Sequence, residues 1–220
     1  FDNTRRKAKA KSLKEALKNN NPIACSYSGS VRKYPKGAMV LDMLKYVVGE
    51  EEYRKAIKHY LEKHAYENVD SEDLLIAFHE TLGYSLDWFW EQWIYKGGEP
   101  NYNVDYKRIL QEITFIVEQV HDTSELVGLF KMPIIFEIHC TDGALIRKTK
   151  WIKKQKEEVR MKIPKGKKVS YVLFDADNKI LKNVIFKKTY NMLKAQVISA
   201  ENLLDRHDAL LSLQKTDYAK

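Results

Sequence analysis

Arg32-Lys33-Tyr34-Pro35-Lys36-Gly37-Ala38-Met39-Val40-Leu41-Asp42-Met43-Leu44 is the stretch from which the fold is read. Pro35 suits the first helical position, where its missing N–H would find no partner in any case. Gly37 leaves room for another backbone or a ligand to come close. Val40, Leu41, Leu44, Val47 and Val48 recur at helical spacing and predict one buried face. Gly49 is well suited to the position just past the last turn. Tyr34 is then held at a rigid helix start with its hydroxyl directed away from that face.

Working outward, residues 4–18 are rich in Arg, Lys and Ala and predict a basic surface helix, stopped by Asn19-Asn20-Asn21-Pro22. Residues 23–30 show no period and predict a loop. Glu50, Glu51 and Glu52 place acid at a helix N-terminus, where the dipole favours it, and Tyr53, Ala56, Ile57, Tyr60 and Leu61 form the stripe behind it. Asp70 and Asp73 have capping spacing. Leu74, Leu75, Phe78 and Leu82 make the next stripe, up to Gly83. A fourth short helix carries Leu86, Trp88, Phe89, Trp90, Trp93 and Ile94 ahead of Gly97-Gly98-Glu99-Pro100. Its tryptophans read as packing residues.

After Pro100 the period becomes two. Ile113, Phe115 and Val117 alternate with polar or outward residues. Met132, Ile134, Phe136 and Ile138 alternate with Glu137 and His139, and Val159, Met161 and Ile163 with Glu158, Arg160 and Lys162. Turn residues separate the runs at 141–143, 164–166 and 175–178. An antiparallel β-sandwich is expected over residues 101–189. The helical period returns with Leu193, Val197, Ala200, Leu203, Leu204, Leu210 and Leu211. The expected class is thus α+β and multidomain: a helical part over 1–100, the sandwich, and the first helices of a further domain over 190–220.

The 220 residues are 44% hydrophobic and 31% charged, ordinary for a globular chain. No apolar run approaches the roughly 20 residues that span a bilayer, so no membrane span is expected. The net charge of +8 is spread over residues 5–18, 147–168 and 182–188. Those stretches read as solvated faces, and no nucleic-acid partner is expected. Cys25 and Cys140 form no C-x-x-C pair and read as inert thiols.

Catalytic motifs are sparse. A zinc site on a helix needs two histidines at i and i+4 with a glutamate between them. His79-Glu80 begins such a pattern, but Gly83 stands where the second histidine belongs. His59 and His64 face different directions, and His121, His139 and His207 are scattered. No metal ligand set is expected within the chain. Nucleophile elbows, phosphate loops and Cys–His pairings are absent from the sequence. Tyr34 remains the candidate, because a protonated phenol donates a strong hydrogen bond to a developing oxyanion.

Tyr34-Pro35-Lys36-Gly37-Ala38, followed by Val40-Leu41, Met43-Leu44, Gly49-Glu50, Tyr53 and Tyr60-Leu61, resembles the segment downstream of the zinc site in M1 family (gluzincin) aminopeptidases. The likeness continues through Asp73-Leu74, Phe78, Gly83, Leu86 to Phe89, Trp93 and Gly98-Glu99-Pro100, and Asp205 to Leu210 is similar to the start of the family's C-terminal helical domain. The resemblance implies a zinc-dependent peptidase that removes N-terminal residues from peptides. It also implies that residues 1–100 are the helical half of a thermolysin-like catalytic domain. Tyr34 matches the family tyrosine that stabilises the oxyanion. The family's zinc motif, glutamate base and amine-binding loop lie upstream of the matched part, and the first residue is Phe, not Met. A fragment of a longer enzyme is therefore expected. It would bind no zinc itself, would be inactive alone, and would have the remaining domains of the same polypeptide as its partners. The alternative is a non-catalytic M1-like scaffold or interaction module.

Overall fold

The computed structural model describes residues 2–215; Phe1 and the last five residues of the expected 190–220 helical segment lie outside the described residues. Two compact units are present. One comprises Lys7–Glu99 with Asp122–Gly128, and the other residues up to Arg6, Pro100–His121 and Leu129 onward.

The first unit is helical. The basic helix α1 (Asp2–Ala16) leads into turns over 23–28, then one helical turn α2 (Gly29–Val31). A π-helical turn, Arg32–Lys36, joins α2 to α3 (Gly37–Val48). Helix α4 (Glu50–Lys63) opens on three glutamates that pair about one turn on, Glu50 with Arg54 and both Glu51 and Glu52 with Lys55. Helix α5 (Ser71–Leu82) begins with a complete capping box: Asp70 accepts from the amides of Glu72 and Asp73, and Asp73 from that of Asp70. It ends at Gly83, whose φ of 74° is the left-handed cap expected of glycine. Helix α6 (Asp87–Trp90) runs into a second π-turn, Glu91–Tyr95. Phe78, Phe89, Trp90 and Trp93 are buried together, with Trp90 Nε1 donating to the Ser71 carbonyl at 2.8 Å.

The second unit is a β-sandwich with two helices. Its strands are β1 (Asn101–Ile109), β2 (Glu112–Gln119), β3 (Met132–Cys140), β4 (Leu145–Ile152), β5 (Lys156–Lys162), β6 (Val169–Phe174) and β7 (Asn183–Phe186). They form sheets ordered β5-β2-β1-β7 and β4-β3-β6. Phe115 meets Phe136 edge-on at 5.1 Å and Tyr102 meets Phe174 at 5.2 Å, locking the two inner faces together. The sheets are antiparallel with one correction: β7 runs parallel to β1. β7 reaches that edge from the other sheet through residues 175–182 and not by a hairpin from β1, so no tight turn imposes antiparallel pairing on the two. Helices α7 (Tyr190–Ser199) and α8 (Leu203–Lys215) follow, α7 capped by Thr189 and packed on β6.

The outer face of β3 also departs from the alternation. Glu137 is buried, and His139 stacks on Tyr171 with ring centroids 4.2 Å apart. The face expected to be solvated is covered, so Glu137 is held by Arg147 and His139 instead of water.

Candidate functional site

The helix that carries Tyr34 begins earlier than Pro35. Gly29 starts it, with φ of 76°, and Pro35 sits inside the π-turn. A proline within an α-helix clashes with the carbonyl four residues back and supplies no N–H; a wider turn relieves both problems. Gly37 is plain helix, and a Cβ there would meet nothing within 4 Å. The close approaches expected of Gly37 occur at Gly97 and Gly98 instead. A Cβ on Gly97 would lie 1.9 Å from the Asn20 carbonyl oxygen. Gly98, at φ 74°, would place one 2.8 Å from Val127.

The buried face of this helix also differs from the apolar stripe. Met39, Val40, Met43 and Leu44 are buried, whereas Leu41 is 39% exposed. Toward the N-terminus the same face continues through Arg32 and Lys36, both 0% exposed. Glu99 neutralises them. Its Oε1 pairs with Arg32 Nη1 and lies 3.6 Å from Lys36 Nζ. Arg32 Nε donates to the Asn21 carbonyl at 3.0 Å, and Lys36 Nζ to that of Gly98 at 3.0 Å. Burial holds the Lys36 ammonium down at about 8, with Glu99 opposing the shift and Arg32 adding to it.

The two buried cations therefore flank Tyr34 at minus two and plus two and pin the π-turn from the inside. Tyr34 lies on the opposite side, 76% exposed. The backbone that carries the Tyr34 phenol is thereby anchored on its inner side. No sequence signal marked Arg32 and Lys36 as buried. Their spacing with Met39, Val40 and Met43, and the lone acid in Gly-Gly-Glu-Pro, are the traces that were there.

The other sequence candidates do not assemble into a metal centre. Glu80 is shared at its surface position by His59, 2.6 Å away, and Lys63, also 2.6 Å away, and these two hold its carboxyl well below the usual range. Among the described residues no group of three or more His, Cys, Asp or Glu is placed to hold a metal ion. Cys25 and Cys140 are both free thiols, and burial pushes the Cys140 thiol up. No described helix is long and apolar enough to cross a membrane.

Residues 3–93 match the model of the Peptidase family M1 domain. Over 105 residues the chain is 35% identical to the Tricorn protease-interacting factor F2 of Thermoplasma volcanium, a match covering 43% of this chain and 13% of that protein. It is 32% identical over 110 residues to the leucyl aminopeptidase of Saccharolobus solfataricus, covering 48% and 13%. Against aminopeptidase N of Lactococcus lactis the figures are 32% over 96 residues, covering 42% and 11%. Among solved structures, Legionella pneumophila aminopeptidase A in complex with aspartic acid superposes with a TM-score of 0.72 at 18% identity, covering 91% of this chain and 24% of that one. At that identity the likeness is one of fold. The sequence matches carry the likeness further: residues 3–93 are similar to part of the Peptidase family M1 domain, and the chain spans only about an eighth of the length of the relatives it matches.

Proposed function

We propose that this chain is part of an aminopeptidase that removes N-terminal residues from peptides, and that Tyr34 donates the hydrogen bond that stabilises the oxyanion. The observation that carries this reading is Tyr34 itself, exposed on a π-turn whose two inward cations are neutralised by Glu99. A donor fixed before reaction spends no reorganisation energy as charge develops. In such an enzyme residues 1–100 would complete the catalytic domain, 101–189 would follow as a separate sandwich, and 190–220 would open the next helical domain. Zinc ligands and general base would come from residues outside this chain, consistent with matches that span only 13% of the relatives. Peptides and the rest of the polypeptide would be its partners, and the chain alone would not hydrolyse peptides.

A peptidase assay on the longer polypeptide, beside the 220-residue chain, tests this. The longer form should release the first residue of an aminoacyl reporter, and a zinc chelator should abolish that release. A metal-loaded longer form with no turnover, or turnover by the 220-residue chain alone, would contradict the proposal.

A further inference from the structure

The outward side of α1 carries a stripe of lysines that the peptidase reading does not use. Along residues 7–18, all within the helical unit, the exposed positions are Lys7, Ala10, Lys11, Lys14, Leu17 and Lys18. Ser12, 0% exposed, marks the buried side. The lysines follow one another at i, i+4, i+7 and i+11, which puts them on one line of a helix. Lys18 stands just past the end of α1 at Ala16. The amides of Lys18 and Asn19 both donate to the Glu15 carbonyl, at 2.8 and 2.9 Å, so the turn carries on through it. Asp2 and Glu15, the acids of α1, are half-buried. Among the described residues no carboxylate pairs with any of the four lysines.

Such a stripe works against its own helix. Each lysine has a like charge three or four residues away, and like charges at that spacing repel. From Lys7 to Lys18 the stripe runs about 16 Å along the axis, too far for one small anion to reach all four. An extended anionic surface reverses the sign of the interaction for the whole stripe. Nucleic acids and acidic lipid headgroups both have that extent, and the side chains beside the lysines decide between them. Binding of single strands adds aromatic side chains on which bases stack, and duplex readout adds Arg, Asn or Gln at base edges. The exposed positions of residues 7–18 offer neither. They offer Leu17 instead, 84% exposed and one turn beyond Lys14. A leucine held in water among lysines gains by entering the headgroup–acyl boundary and gains nothing from a phosphate backbone.

We propose that this face of α1 docks the protein reversibly on an anionic membrane surface. Lys7, Lys11, Lys14 and Lys18 meet the acidic lipid headgroups, and Leu17 enters the interface. A lysine close to such a surface strengthens binding about fivefold, so the four supply several-hundred-fold. That is a salt-sensitive attachment, far short of permanent anchoring. The contact is independent of Tyr34 and of any peptidase activity.

Flotation of the 220-residue chain with lipid vesicles tests the proposal. Vesicles of phosphatidylcholine with about one-third phosphatidylserine should carry the protein, and vesicles of phosphatidylcholine alone should not. Binding should fall steeply as KCl rises from about 0.05 to 0.3 M. Lys11→Gln/Lys14→Gln should weaken it about 25-fold, with a Tm no lower than the parent because the change removes repulsion between exposed groups. Leu17→Ser should weaken it severalfold without changing its salt dependence. Lys150→Gln/Lys153→Gln, at exposed positions of the sandwich unit, removes the same charge elsewhere and should leave binding within about twofold. Several results would overturn the assignment: no binding to the acidic vesicles, equal losses in the two double variants, or unchanged binding in Leu17→Ser. So would tighter binding, at matched salt, to a DNA oligonucleotide through Lys11 and Lys14.

Discussion

At the scale of single residues, Glu99 is the side chain on which the Tyr34 turn depends. Arg32 and Lys36 have no exposed surface, and Glu99 is the acid paired with both. Removing it would leave two cations in a dry interior, where breaking a buried pair costs about 3–5 kcal/mol. Glu99→Ala should therefore lower the midpoint of urea unfolding of the helical unit by an amount of that order. Lys36→Met should cost far less, because Arg32 and Glu99 remain paired and the methionine fills the same space. Equal losses in the two variants would mean that the cluster is held by something other than Glu99.

At the scale of elements, α5 is the helix whose ends are best defined. Both sides of its capping box are closed by Asp70 and Asp73. Asp70→Ala should cost about 1 kcal/mol, read as a lowered unfolding midpoint with unchanged slope. Such caps were legible in the sequence because they are local: Asp70-x-x-Asp73, Gly83 and the glutamates of α4 act within one turn of themselves. Strands β2 and β5 were legible as well, since one face of each is buried and the other is more exposed. Strands β1, β4, β6 and β7 were not delimited. β4 is exposed along most of its length and β7 is a four-residue edge, so neither carries a full alternation. The π-turn at Tyr34 was misread as a helix start because Pro35 favours both positions, and burial of Arg32 decides between them. That burial depends on Glu99, 67 residues away along the chain, a pairing that no local window contains.

At the scale of the whole molecule, the two units should respond to pH in different windows. In the helical unit Lys36 is lowered from 10.5 to about 8. The unfolded chain therefore holds that proton over a range in which the folded chain has released it. Stability of this unit should rise between about pH 8 and 10.5, by on the order of 3 kcal/mol. In the sandwich unit Asp205 is raised from 3.8 to about 6. Its contribution is present below about pH 4 and is lost as pH rises through 6, on the order of 3 kcal/mol. Residue-resolved NMR during urea unfolding should show each slope in its own unit, removed by Lys36→Met in one and by Asp205→Asn in the other. A slope that survives its substitution would assign it to a different group.

The proposed role of Tyr34 is tested most directly by the turnover of Tyr34→Phe in a longer polypeptide that shows peptidase activity. Loss of one oxyanion donor lowers kcat by about 10²–10³-fold. Because Tyr34 is 76% exposed and takes no part in the Arg32–Lys36–Glu99 cluster, metal content and folding should be unchanged. A kcat reduced by about that factor at unchanged zinc content is the predicted result. Turnover equal to that of the parent enzyme would contradict it.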